Sequence, residues 1–218
     1  MTDHKNHHEQ MKFQLERILL FSDAVFAIAI TLMVIEIKPP HLHPNDTLQH
    51  DLQLLAKKIP VFVSTIVSFI LVGISWVQHH DIMRYLHSYN HKFIWLNIAL
   101  LFSIALIPFA AAFVFENITS NSPLPIIVYN CIFILNALIS YQLYMYALHP
   151  NKKLTREDHS PKRQELKAEI LFPIAVFSLV IIIACFNVSM SAIGYAAFGF
   201  QSFFTGKKKQ TSGAKNKV

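Results

Sequence analysis

Residues Ile170–Phe204 run for 35 positions without a charge. A membrane-crossing helix needs about 20 apolar residues and rarely more than about 25, so this run is too long for one span and long enough for two. Asn187 stands at its midpoint and reads as a tight turn between two short helices, Ile170–Phe186 and Val188–Phe204. Four further charge-poor blocks precede it: Ile18–Ile35, Ile59–Val77, Phe93–Phe115 and Leu124–Leu148. The expectation is an all-α polytopic membrane protein with six transmembrane helices, because a backbone surrounded by lipid must satisfy its own hydrogen bonds. Charged residues make up only 15% of the chain, against about 25% in a typical soluble domain.

The distribution of basic residues sets an orientation. With both termini cytoplasmic, 16 of the 19 lysines and arginines fall on the inner side, and only Lys38, Lys57 and Lys58 face out. This is the asymmetry of the positive-inside rule. It accounts for the net charge of +6 as a topology signal and argues against a nucleic-acid partner. The first ten residues are polar and rich in histidine, unlike a cleavable signal peptide. Cys131 and Cys185 both lie inside apolar runs, with neither disulfide nor metal spacing. One six-span transmembrane domain over residues 1–205 is expected, followed by a basic, disordered cytoplasmic tail at 206–218 suited to anionic lipid.

The first block carries the chemistry. Asp23 enters a segment, Ala24 to Ile35, whose only polar residue is Thr31. An ionisable group there costs several kcal/mol unless paired or hydrated, which makes it a functional candidate. At about 100° per residue, with Ile28 as zero, Ala24 falls near −40°, Thr31 near −60°, Leu32 near +40° and Ile35 near −20°. Asp23 lies about 140° away and Ser22 about 120° away on the other flank. The aliphatic stripe fits two arrangements equally: packing against another helix, or lining a pore as a hydrophobic constriction that gates by dewetting.

Arg17-x-x-x-Phe21-Ser22-Asp23 at the start of the first span resembles the signature of bacterial relatives of transmembrane protein 175, the endosomal and lysosomal potassium channel. The resemblance continues through Glu36-Ile-Lys-Pro-Pro40, Trp76-Val-Gln-His-His80 and Trp95-Leu-Asn97, from about Phe13 to His149. It implies a homotetrameric, potassium-selective cation channel in the plasma or inner membrane, with the first helix of four subunits around the axis. Ile28, Leu32 and Ile35 take the constriction positions by this resemblance, and Thr31 offers a hydroxyl for selectivity. It also implies a structural polar network around the Phe21-Ser22-Asp23 triplet, joining Arg17, Ser22 and Asp23 through His79 or His80 and Asn97. No cofactor is implied; potassium enters as the permeant ion, and lipid and monovalent cations are the partners.

Two other classes fit the chain less well. A secondary transporter coupled to protons or cations needs broken helices at mid-membrane, usually in an inverted repeat, and neither is evident. An intramembrane enzyme needs a convergent nucleophile, base or metal set, and Asp23 is the one titratable group deep in a span. The adjacent His79 and His80 point about 100° apart on a helix, a poor start for a metal site. Trp76 and Trp95 read as belt residues at the membrane interfaces.

Overall fold

The computed structural model describes residues 2–44, 46–117, 120–155 and 160–195. Its helices are α1 (Thr2–Ile35), α2 (Leu48–Ala56), α3 (Ile59–Met83), α4 (His91–Ala105), α5 (Ile107–Glu116), α6 (Leu124–Ala147), α7 (Ser160–Phe186) and α8 (Ser191–Gly194). A 3-10 turn at Pro150–Lys152 follows α6. The described residues form no strand, only an isolated bridge between Leu86 and Thr155. Five helical segments are long and apolar enough to cross a membrane: Glu9–Ile35, Leu48–Met83, His91–Glu116, Leu124–Ala147 and Glu169–Phe186. The sixth expected span, Val188–Phe204, lies beyond residue 195 for the most part and so largely outside the described residues.

Local chemistry explains where the helices start and stop. The Asn90 side chain accepts from the Phe93 amide at 2.9 Å and caps α4. Pro60 and Pro125 sit in the first turns of α3 and α6, where a missing N–H costs nothing. α1 stops at Ile35, shortly before Pro39-Pro40. α7 ends at Phe186, and the Asn187 side chain accepts from the Met190 amide at 3.2 Å to start the next turn. The reversal expected at Asn187 is therefore present, and α8 packs back on α7. Gly194 makes that approach possible: a Cβ there would meet Val180 Cγ2 at 2.7 Å.

Three features depart from the pattern of apolar runs. α1 begins at Thr2, far ahead of Ile18; at 34 residues it is about 50 Å long, against about 30 Å of hydrocarbon, so its polar N-terminal part stands clear of the bilayer. α2 forms within the expected outer loop, capped by Thr47, whose hydroxyl accepts from the His50 amide. The third span is broken at Leu106 because Pro108 has no N–H to give the Ile104 carbonyl; α4 and α5 still make one crossing.

α1 contributes Phe26, Ala29 and Met33 to a core completed by Val72 of α3, Ile104 of α4 and Ile107 of α5. A second core joins Ile82, Phe93, Leu143, Tyr144 and Leu166 toward the other end of the bundle.

Candidate functional site

α1 has two unlike faces. Ser22, Phe26, Ala29 and Met33, spaced at helical intervals, are buried against α3, α4 and α5. On the other side Ile28, Leu32 and Ile35 are 58%, 41% and 71% exposed in the single chain. Thr31 is exposed beside them, and its hydroxyl donates to the Ile28 carbonyl at 2.9 Å. That bond spends the hydroxyl proton on the helix's own backbone and leaves the oxygen as an acceptor.

On the buried face a directed chain of hydrogen bonds crosses three helices. Ser22 Oγ donates to the Ile18 carbonyl at 2.9 Å, and Asn97 Nδ2 donates to Ser22 Oγ at 3.0 Å. Asn97 Oδ1 then lies 2.9 Å from His79 Nε2. An amide oxygen only accepts, so His79 carries its hydrogen on Nε2 and donates it to Asn97. The ring is buried, packs 5.5 Å from the Phe26 ring, and leaves Nδ1 without a partner among the described residues. The bonds that leave each helix tie α1 to α4 and α4 to α3, and together they fix the rotation of α1 about its own axis.

Asp23 is held separately. Trp76 Nε1 donates to its Oδ1 at 2.8 Å, which supplies one strong bond to a half-buried carboxylate. The Trp76 ring also lies 5.6 Å from the His80 ring. The indole N–H is the sequence signal for this partnership, since a donor-only group in an apolar span needs an acceptor. Position near a span end, taken alone, assigns Trp76 only to the membrane belt.

Of the residues expected in one polar network, the structure joins Ser22, Asn97 and His79, and attaches Asp23 through Trp76. His80 borders that tryptophan without entering the chain of bonds. Arg17 and Phe21 are not brought in: both are exposed, and Arg17 makes no hydrogen bond or ion pair among the described residues. Helical phase is the reason. Arg17 and Phe21 stand within about 20° of Ile28 around α1, whereas Ser22 is about 120° away. They extend the exposed aliphatic stripe toward the N-terminal end.

Beyond α1, an exposed ion pair between Lys38 and Glu116 ties the segment after α1 to the end of α5. The adjacent Glu116 carboxylate holds the Lys38 ammonium above its ordinary range. Among the described residues no three His, Cys, Asp or Glu side chains gather where an ion could be held.

Comparison with known proteins places this arrangement. The model of the family described as endosomal/lysosomal potassium channel TMEM175 matches residues 17–108, the stretch that holds the Ile28 stripe and the hydrogen-bond partners Ser22, Asp23, Trp76, His79 and Asn97. A protein of Chamaesiphon minutus named as a potassium channel is 33% identical over 142 residues, 65% of this chain and 70% of its own. The chain belongs to the TMEM175 family. A Streptomyces collinus relative, also named a potassium channel, is 32% identical over 145 residues, and the match spans 66% of each chain. The crystal structure of a homologue of the lysosomal potassium-selective channel TMEM175 from Chamaesiphon minutus superposes with a TM-score of 0.69 at 27% identity, covering 83% of this chain and 92% of that one. More distant vertebrate members are named proton channels; the chicken protein is 23% identical over 209 residues, 40% of its length. The chain is thus a multi-pass membrane protein of a channel family.

Proposed function

We propose that four copies of this chain surround an axis lined by α1 and conduct potassium passively. The reading rests on one observation: α1 turns Ser22 into its own subunit and pairs Asp23 with Trp76, while leaving Ile28, Leu32 and Ile35 exposed on another face. In lipid there is little hydrophobic drive to bury such a stripe; a four-fold axis gives it a role as the constriction. Rings of isoleucine and leucine offer no ligand, so an ion stripped of water pays a large desolvation penalty there. Potassium gives up water more readily than sodium, and a tight apolar ring therefore penalises sodium more. The Thr31 oxygens, free to accept because their protons are spent on Ile28, replace part of the lost water. Asp23 is engaged with Trp76 and stays out of the ion path. The names of the bacterial relatives support potassium as the permeant ion, and the basic asymmetry supports cytoplasmic termini in a bacterial inner or plasma membrane.

The test is flux from proteoliposomes under a potassium gradient, then a sodium gradient, with the proton gradient collapsed. Downhill potassium flux that exceeds sodium flux and does not saturate is the expected result. Flux that saturates and follows an imposed proton gradient would make the protein a coupled transporter instead.

A further inference from the structure

The ends of α4 and α6 on the side of the Pro150–Lys152 turn bear a cluster that the conduction reading does not use. The ammonium groups of Lys92 and Lys152 lie 5.1 and 5.4 Å from the centroid of the same ring, Tyr146. The Tyr146 hydroxyl is itself held by Asn90, whose Nδ2 donates to it at 2.9 Å. Both lysines are exposed, and neither is ion-paired among the described residues. Two ammonium groups gathered at one ring, with no carboxylate paired to either among the described residues, concentrate positive charge that an anion would offset. The backbone here is built to hold this arrangement: Ser88 Oγ donates to the Lys153 carbonyl at 3.0 Å, and the His87 amide donates to the Leu154 carbonyl at 2.9 Å. Lys153 adopts a left-handed conformation, φ 52°, which is uncommon for a residue with a Cβ.

The height of the cluster selects the anion. Lys92 directly precedes the uncharged run Phe93–Phe115, and Tyr146 stands at the end of α6, so the cluster sits where two spans leave the hydrocarbon. One turn deeper on α4, Trp95, Ile98 and Phe102 form a stripe 69%, 41% and 64% exposed. We infer that Lys92, Lys152 and the Tyr146 ring bind the phosphate of an anionic phospholipid, whose acyl chain lies along Trp95, Ile98 and Phe102. The leaflet, but not the site, rests on the cytoplasmic-termini orientation proposed above; in that orientation it is the inner one, where anionic lipid draws basic side chains.

The experiment is native mass spectrometry of the assembled protein in detergent, with dioleoyl-phosphatidylglycerol or dioleoyl-phosphatidylcholine added, and potassium flux measured on the same preparations. Wild type should retain phosphatidylglycerol in preference to phosphatidylcholine. Lys92→Gln and Lys152→Gln should each weaken retention by about fivefold, the value of one lysine near an anionic surface, while Lys92→Arg and Lys152→Arg retain it. Flux is a separate readout, so a non-conducting protein that still selects phosphatidylglycerol sinks the channel reading and leaves the lipid site standing. Equal retention by wild type and the double glutamine variant would overturn the site. Displacement of the lipid by inorganic phosphate at equal concentration would overturn its assignment to lipid.

Discussion

The two faces of α1 are held by different physics. The face bearing Ser22 is fixed by directional bonds to Asn97 and, through it, to His79, while Asp23 is fixed by Trp76. The face bearing Ile28 makes no such commitment within its own chain. In a bundle surrounded by lipid, apolar surface alone does not specify how a helix is rotated, because the solvent is as apolar as the side chains. The polar face therefore does the specifying, and the aliphatic stripe points where it does as a consequence. If the Ile28 face lines the pore as proposed, architecture and conduction are separated by about 120° of helix, and substitutions on the two sides should fail in different ways.

Asn97→Ala should have the largest effect. It removes the acceptor for His79 and the donor to Ser22 in one step, which leaves the buried His79 Nε2 hydrogen unpaired and Ser22 Oγ with only its own bond to the Ile18 carbonyl. Such a group costs about 1–3 kcal/mol in soluble proteins, and interhelical bonds in one measured membrane bundle average nearer ~0.6 kcal/mol. A combined loss of about 1–3 kcal/mol is expected, read as a fall in thermal stability and in yield of assembled protein by size-exclusion chromatography. Where protein survives, its preference for potassium should be unchanged. Altered selectivity at unaltered stability would show that the two faces are not separate.

Ile28→Asn should do the opposite. An amide at the proposed constriction should hydrate it, and conductance should rise by about tenfold, a barrier change of roughly 1.4 kcal/mol, with weaker discrimination against sodium. Stability in detergent should stay close to wild type, since Ile28 is exposed in the chain. If single-channel conductance and reversal potential both stayed as in wild type, α1 would not line the pore at this level.

Asp23 divides charge from hydrogen bonding. Asp23→Asn keeps an oxygen acceptor for Trp76 Nε1, whereas Asp23→Ala leaves that indole without one. If the structural role is the bond, the alanine variant should lose about 1–2 kcal/mol of stability relative to the asparagine variant, in line with hydrogen bonds to charged or buried groups. Equal stability of the two, with potassium preference lost in both, would move Asp23 into the ion path.

Much of this division is legible in the amino-acid sequence alone. The stripe at Ile28, Leu32 and Ile35 and the opposed position of Ser22 follow from 3.6-residue periodicity, and the turn at Asn187 follows from a run too long for one span. What periodicity misses has definite causes. α1 continues through polar residues to Thr2 because helix formation is a backbone property that no apolar count registers. α2 sits in a segment too short and too polar to look like a span. Trp76 is open to two explanations, since a belt tryptophan and a hydrogen-bond donor look the same in a sequence. Arg17 and Phe21 group with Ser22 and Asp23 only as neighbours in a motif; helical phase sends them to the other face.

Thr31 tests the boundary between the faces with the smallest change. It lies on the exposed face beside Ile28, yet its hydroxyl bonds to its own helix, so its role could be purely local. Thr31→Val keeps the β-branched shape and removes only the oxygen. The lost bond is exposed and made within one turn, so stability should move by less than about 0.5 kcal/mol. In the proposed tetramer the substitution removes four oxygens from the ring, each of which would supply only part of a water's worth of coordination to a partly hydrated ion. The expected result is a fall of about two- to fivefold in the potassium-to-sodium permeability ratio, roughly 0.4–1 kcal/mol, with the pore still conducting. Thr31→Ser, which retains the oxygen, should keep the ratio near wild type. A valine variant indistinguishable from wild type in reversal potential would mean that the Thr31 oxygens face the helix rather than the ion, and that selection rests on the aliphatic rings alone.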